Sequence, residues 1–245
     1  MGERLDYDTL YRTLWSVDKA HSICNPRKML SLSMCPTGNK INRVLEIGCG
    51  NGDVLKVLEQ RYKCVVGCDI SKFALSKMDK RFNVLLADAI KLPFRNNSFE
   101  LIVAIDVLEH IENDRIAFES WTNLLMDGGI LVLSVPYNQK LWDVDDEKVG
   151  HYRRYNYADI QNLATQNNLQ LECIKYSGFP FYRVIRWILN RIGKYREMKY
   201  TTGCTGNHLA SKNILILIIL KIMIEIESCF QNLPYGTSIT VQAKK

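Results

Sequence analysis

The sequence lacks three features that would each indicate a particular class of protein. None of its eight cysteines forms a C-x-x-C pair, so a zinc knuckle or a redox pair has no supporting spacing. The N-terminal stretch is charged and contains no signal-peptide hydrophobic segment. The uninterrupted apolar run Ile214–Leu220 is far shorter than the roughly 18 residues that cross a bilayer. These absences predict a cytoplasmic protein.

A signature of nucleic-acid methylation is also missing. Enzymes that methylate the amino groups of nucleic-acid bases carry an N/D-P-P-Y/F tetrad after the fourth strand. At that point this sequence has Ala104–Val107 instead. The net charge of +6 is a mild excess over 245 residues, and the 24% charged and 47% hydrophobic fractions are ordinary for a soluble domain. The sequence therefore predicts no nucleic-acid partner.

Strands and helices alternate through most of the chain. Helices of about ten residues, such as Asp53–Arg61, Asn113–Met126 and Asn156–Asn167, separate short apolar runs. This alternation predicts an α/β fold with a mostly parallel sheet covered by helices on both faces. Seven strands are predicted: Arg43–Ile47, Lys63–Cys68, Val84–Ala87, Phe99–Ala104, Ile130–Val135, Leu169–Tyr176 and Ser238–Ala243.

The chain is interpreted as one domain, residues 1–245, with an insertion of two helical segments before the terminal strand. Between Pro180 and Tyr200 the insertion carries six basic residues and one acidic residue. Three interpretations are open for residues 180–230: a lid on the sheet, a homodimer contact, or a peripheral contact with the inner face of a membrane. The predicted parts are an N-terminal helical segment (1–40), a cofactor-binding core (41–179), the insertion (180–235) and the terminal strand (236–245).

A glycine-rich loop joins the first strand to the first core helix. Three alternating glycines within Val44–Asp53 allow the backbone to turn tightly and to approach a ligand. A dinucleotide-binding dehydrogenase would have the spacing G-x-G-x-x-G, whereas this loop has G-x-G-x-G. Glu46 stands just before the loop, where a carboxylate would repel a pyrophosphate. These features disfavour a dehydrogenase.

Two aspartates end the second and third predicted strands. Asp69 lies nineteen residues after Gly50, the spacing of an acidic residue that binds ribose hydroxyls. Asp88 ends the next strand. The carboxyl ends of parallel strands face the crevice where ligands bind, so both carboxylates are expected at one site.

These motifs resemble, in chain order, those of class I S-adenosylmethionine-dependent methyltransferases related to the ubiquinone and menaquinone methyltransferases. The resemblance covers about residues 43–136 and rests on VLEIGCGNGD, GCDIS, ADAIKLPFRNNSFELIVAIDVLEHI and GGILVLSVP. It implies a Rossmann-like fold and S-adenosylmethionine as the cofactor. The resemblance further implies donor contacts from Glu46, Gly48 and Gly50 to the methionine part, Asp69 to the ribose, Ile70, Asp88 and Ala89 around the adenine, and Asp106 at the methyl end.

A narrower resemblance concerns the second half of the chain. LWDVDDEKVGHYRRY and PYGTSITVQAKK are similar to stretches of methyltransferases encoded among glycan and lipid-head-group genes. This resemblance implies O-methylation of a glycan, a lipid-linked sugar or another small molecule. The alternatives are C- or N-methylation of a quinone-like or amine acceptor, and a non-catalytic binder, which the intact donor-site carboxylates disfavour.

Two histidines are candidates for a general base, which methyl transfer to a hydroxyl requires. His110 follows the fourth strand, and His151 precedes Arg153 and Arg154, which are expected to lower its pKa. Asp106, Glu109 and His110 also resemble a set that some quinone O-methyltransferases use for a divalent ion. One acid is aspartate rather than glutamate and nothing else in the sequence supports a metal, so no metal is predicted.

Overall fold

The computed structural model describes residues 6–9, 25–37, 41–180, 222 and 225–245. Seven strands form its sheet: β1 (Arg43–Ile47), β2 (Cys64–Asp69), β3 (Val84–Leu86), β4 (Phe99–Ile105), β5 (Leu125–Pro136), β6 (Gln170–Ser177) and β7 (Ser238–Lys244). Their order across the sheet is β3-β2-β1-β4-β5-β7-β6. The predicted seven-stranded, mostly parallel sheet is confirmed.

Six helices with described bounds accompany the sheet. Side chains at three N-caps accept backbone N–H groups and so fix where helices begin: Asn25, Ser71 and Asp143. The helices are α1 (Pro26–Met34), α2 (Asp53–Arg61), α3 (Lys72–Ser76), α4 (Asp114–Leu124), α5 (Val144–Lys148) and α6 (Tyr157–Gln166).

The strand order reverses at β1, and this reversal places the site. β1 pairs in parallel with β2 on one side and with β4 on the other, so the order of the strands across the sheet changes direction at β1. A crevice forms at the carboxyl ends of the strands at such a point. On the other side of the sheet, β7 lies antiparallel between β5 and β6.

Alternating residues of the central strands pack into two separate apolar cores. Leu45 and Ile102 belong to one core and Val44 and Leu101 to the other, because successive side chains of a strand point to opposite faces. Trp121 of α4 is fully buried in the first core and its Nε1 donates to the Ala89 carbonyl at 2.8 Å. Both faces are therefore covered, as predicted.

The predicted boundary between α4 and β5 is wrong. The predicted helix ends at Met126 and the predicted strand begins at Ile130, but α4 ends at Leu124 and β5 begins at Leu125. Leu125 already pairs with Phe99, and the register shifts before the next pair. The glycine pair is held inside this irregularity, since Gly128 N donates to the Lys245 carbonyl at 3.0 Å.

Most of the predicted helical insertion lies outside the described residues, as do most of residues 1–24. The lid, homodimer and membrane-contact interpretations of residues 180–230 therefore remain predictions. Within the described ranges, no helix combines the length and the apolar character needed to span a membrane.

Candidate active site

The glycine loop is tied to the end of β2 by backbone hydrogen bonds. The N–H groups of Gly48 and Cys49 donate to the Cys68 carbonyl at 2.8 and 3.0 Å. Gly48 has φ +72°, and a Cβ there would collide with the side chain of Val107. Gly48 is thus required both for the left-handed backbone and for the close approach of the segment after β4.

A cavity, partly open to solvent, lies at the carboxyl ends of β1, β2, β3 and β4. Six of the eight residues predicted to contact the cofactor line it: Gly48, Asp69, Ile70, Asp88, Ala89 and Asp106. Glu46 and Gly50 are not among its lining residues. The other lining residues are Tyr7, Ile47, Cys68, Ala87, Val107, His110 and Ile111.

Backbone N–H groups orient the two predicted ligand-binding aspartates. Asp69 is buried, and its two oxygens accept from Ser71 N and Gly50 N, each at 2.8 Å. The Asp69 carboxylate therefore holds the glycine loop against β2. Asp88 accepts from Ile90 N at 3.1 Å. Both carboxylates are preorganised at the cavity wall.

Glu46 is a buried carboxyl beside the loop. Its Oε2 atom has no hydrogen-bond partner among the described residues. Burial raises the pKa of Glu46 well above its ordinary value of 4.5, although nearby Lys28 acts in the opposite direction. Its neutral form is therefore favoured until a cationic group comes close.

His110 and His151 contact each other, although they are distant in sequence. Their ring centroids lie 4.7 Å apart with an interplanar angle of 72°. His110 belongs to a helical turn, Leu108–His110, that follows β4, and its buried Nδ1 has no hydrogen-bond partner among the described residues. Burial, with a smaller effect of His151, lowers the pKa of His110 to about 4. His110 is thus a neutral part of the cavity wall at physiological pH.

His151 lies between two carboxyl groups. Its Nδ1 is 2.7 Å from Asp146 Oδ1, and its Nε2 is 3.9 Å from Glu109 Oε1. Burial lowers its pKa, and the hydrogen bond with Asp146 acts in the opposite direction without cancelling that effect. The predicted direction is confirmed.

The predicted cause of this pKa shift is wrong. The neighbouring arginines are ion-paired with acids: Arg153 with Asp114 at 2.6 Å and Arg154 with Asp146 at 2.8 Å. Their charges are largely compensated, so desolvation of the His151 ring has the dominant effect.

Glu109, His110 and His151 offer ligand atoms that all lie within 4.8 Å of one another, so they could hold a metal ion. Both oxygens of Glu109 are buried and lack hydrogen-bond partners within the described ranges. Asp106 does not belong to this group and instead contacts Arg27 NH1 at 2.7 Å. The set considered from sequence is therefore not the one that the fold assembles, and the absence of a metal stays a prediction.

Comparison with known proteins shows a methyltransferase domain in the chain. The family model described as a methyltransferase domain matches residues 45–133, which span β1 to β5. An uncharacterised protein of Methanocaldococcus jannaschii is 25% identical over 66% of this chain and 76% of its own length. A tRNA (carboxymethyluridine(34)-5-O)-methyltransferase of Arabidopsis thaliana is 34% identical over 45% of this chain, which spans only 27% of that relative.

A solved structure shows the same fold over nearly the whole chain. A phosphoethanolamine N-methyltransferase of Haemonchus contortus in complex with S-adenosyl-L-methionine has a TM-score of 0.69 and 17% identity, covering 98% of this chain and 60% of its own. The chain therefore contains a methyltransferase domain at residues 45–133. S-adenosylmethionine is its methyl donor. The narrower kinship with quinone- and glycan-associated methyltransferases stays a prediction.

Three residues of the methyltransferase site were missed by the sequence analysis. Tyr7 contacts His110 edge-on, with ring centroids 5.8 Å apart, and lines the cavity. Arg27 pairs with Asp106, and Asp146 pairs with His151. Of the three, only Asp146 lies in a stretch that the sequence had already singled out, LWDVDDEKVGHYRRY, which also contains His151. The other two contacts join residues about 80 or more positions apart.

We expect Glu46→Gln to stabilise the methyltransferase without ligand, increasingly so as the pH rises above 4.5. A carboxyl whose folded-state pKa is raised loses stabilising free energy as the pH climbs from its unfolded value of 4.5 through its folded value, and glutamine does not ionise. A gain of about 1 kcal/mol corresponds to roughly 2–4 °C in Tm. Thermal unfolding between pH 5 and 8 measures the difference. Glu119→Gln, at an exposed position of α4, is the matched control, and a Tm difference independent of pH would contradict the expectation.

Proposed function

We propose that this methyltransferase methylates an oxygen of a glycan, a lipid-linked sugar or another small molecule, with His151 as the general base. The observation that carries the proposal is the hydrogen bond between the buried Asp146 carboxylate and His151, whose ring contacts His110 in the cavity wall. A neutral histidine beside the donor cavity suits removal of a proton from a hydroxyl group.

The residues at the strand ends fit S-adenosylmethionine. The cofactor supplies an electrophilic methyl group on a sulfonium. The protein therefore has to bind the cofactor, align the acceptor with the methyl group and exclude water. Glu46 has a buried oxygen, without a hydrogen-bond partner among the described residues, that suits an ammonium group, and Gly48 lets Val107 approach the loop closely at the cavity wall. Asp69 suits the ribose hydroxyls, because it lines the cavity and carboxylate oxygens accept hydrogen bonds from hydroxyl groups.

The remaining wall residues divide between the adenine and the methyl end. Ile70 has 37% of its surface exposed and offers an apolar face for the adenine, with Asp88 for its amino group and Ala89 beside it. Asp106 and His110 line the part of the cavity next to His151. The acceptor is therefore expected to enter between His151 and the methyl end.

His151 is a better base than His110. With a pKa of about 4, His110 has little affinity for a proton near neutral pH. The acidic partner Asp146 stabilises a positively charged His151 after it takes the acceptor's proton at Nε2. With S-adenosylmethionine bound, which would supply the methyl group, His151 Nε2 would take the proton that the acceptor hydroxyl releases on methylation.

A second candidate acceptor is a tRNA nucleoside, because the plant relative's name specifies O-methylation of carboxymethyluridine in tRNA. This candidate opposes the predicted absence of a nucleic-acid partner. An oxygen acceptor is common to both candidates, so the role of His151 alone does not separate them.

Methyl-labelled S-adenosylmethionine and cell extract separate the acceptor classes. With the purified enzyme we expect label in the organic-soluble lipid-linked fraction or in the small glycan fraction, resistant to ribonuclease. Label confined to ribonuclease-sensitive material would replace the proposal with the tRNA candidate. Label in a quinone or amine product, identified by mass spectrometry, would favour C- or N-methylation instead.

A further inference from the structure

A buried carboxylate lies behind His151 on the side away from Glu109. The side chain of Asp146 is 2% exposed, and α5 presents it to the loop that carries His151. Its Oδ1 contacts His151 Nδ1 at 2.7 Å. The backbone N–H of His151 also donates to the Asp146 carbonyl at 2.9 Å, so main chain and side chain fix this pair together.

The other carboxylate oxygen of Asp146 has three donors. Arg154 Nε and NH2 lie 2.9 and 2.8 Å from Oδ2, and Asp143 N donates to the same oxygen at 2.9 Å. Burial opposes ionisation, but Arg154, Asp143 N and His151 together hold the pKa of Asp146 below its ordinary value. Asp146 is therefore an ionised group whose Oδ2 is occupied and whose Oδ1 is directed at His151.

An ionised carboxylate only accepts hydrogen bonds, so the contact requires a hydrogen on His151 Nδ1. In a neutral imidazole the other nitrogen, Nε2, then carries the lone pair. Nε2 lies 3.9 Å from Glu109 Oε1, which is too long for a hydrogen bond. The lone pair that a base needs is thus left on the nitrogen that faces the Glu109 and His110 side.

We propose that Asp146 is a positioning residue, which fixes His151 in the Nδ1–H tautomer and leaves Nε2 to accept the acceptor's proton. Arg154 and the N-cap Asp143 hold Asp146 in place. The proposal rests on the proposed function, because it gives His151 the role of base. A merely structural Asp146 would anchor the loop but would not determine which nitrogen carries the proton.

The first test observes the tautomer in the wild-type enzyme and needs no variant that might misfold. Nitrogen-15 spectra of the histidine rings, assigned with His151→Gln, should show a protonated Nδ1 and an unprotonated Nε2 at neutral pH. In Asp146→Asn the amide oxygen can stay with Arg154 while its NH2 group donates to Nδ1. We expect this exchange to move the proton to Nε2.

The second test is kinetic. Asp146→Asn should lower kcat about 10²–10⁴-fold, with an unchanged KM for S-adenosylmethionine and unchanged binding of S-adenosylhomocysteine. Asp145→Asn, at the neighbouring half-buried position of α5, is the matched control and should retain wild-type kcat. The substrate is taken from the cell fraction that accepts the methyl label in the extract experiment described above.

The outcomes distinguish the positioning role of Asp146 from the general-base role of His151 on which it rests. An Nε2–H tautomer in the wild type, or an unchanged kcat in Asp146→Asn, overturns the role of Asp146 even if His151→Ala is inactive. Full activity in His151→Ala overturns the base itself and the positioning role with it. The observed Nδ1–H tautomer with loss of kcat in Asp146→Asn supports both.

Discussion

His151→Ala is expected to lower turnover about 10²–10⁴-fold, the usual contribution of a positioned general base. The substitution removes the ring that Asp146 holds at 2.7 Å and leaves the residues at the ends of β1, β2 and β3 in place. Because the pKa of His151 lies below its ordinary value of 6.5, wild-type kcat should rise with pH with a midpoint below pH 6.5. The His151→Ala variant should lack this acidic limb.

Binding measurements and a matched control make the His151 experiment specific. Affinity for S-adenosylhomocysteine should match the wild type, and Lys148→Ala, an exposed position on α5, should have wild-type turnover. His110→Ala tests the other candidate, for which we expect a smaller loss. A large loss in His110→Ala with full activity in His151→Ala would transfer the role to His110.

Asp69→Ala is expected to weaken binding of the methyl donor by about 1–3 kcal/mol, or roughly 5- to 150-fold. Two effects add. The variant loses the carboxylate expected at the ribose, and it leaves the N–H groups of Gly50 and Ser71 without the acceptor that holds the loop. Isothermal titration with S-adenosylhomocysteine measures the loss.

Two further variants separate the loop effect from the direct contact. Asp69→Asn retains one oxygen acceptor and should weaken binding less than alanine does. Asp127→Ala removes an exposed carboxylate near the amino end of β5, away from the cavity, and should bind normally. Wild-type affinity in Asp69→Ala would refute the assignment of this residue to the donor site.

Much of the fold could be predicted because each central strand is a short apolar run between turn-forming residues. Buried on both faces, β1 and β4 leave little choice of register or boundary. The glycine loop and the aspartates follow directly from these strands. Six of the eight proposed donor contacts accordingly line one cavity. The start of β5 was mispredicted because two glycines within a strand irregularity resemble a turn.

The acid–base part of the site could not be derived from sequence spacing. His110 and His151 were treated as alternatives, whereas the return of the chain after α5 places their rings in contact. The order of charges along the chain also gave the wrong cause for the pKa shift of His151. Arg153 and Arg154 are close to His151 in the chain, but both are paired with acids in the folded protein. Such pairing depends on tertiary packing, which local patterns do not encode.

The position of β7 between β5 and β6 has a consequence for synthesis on the ribosome. Within the described sheet, β6 has β7 as its neighbour, and residues 178–237 separate the two strands in the chain. At roughly 5–20 residues per second, β6 waits on the order of 3–12 s for its partner. During that interval the facing edges of β5 and β6 are both unpaired and exposed to wrong strand pairing. The strands of the donor site, β1 to β4, can already associate by then, so the nascent enzyme is expected to acquire its cofactor site before its sheet is complete.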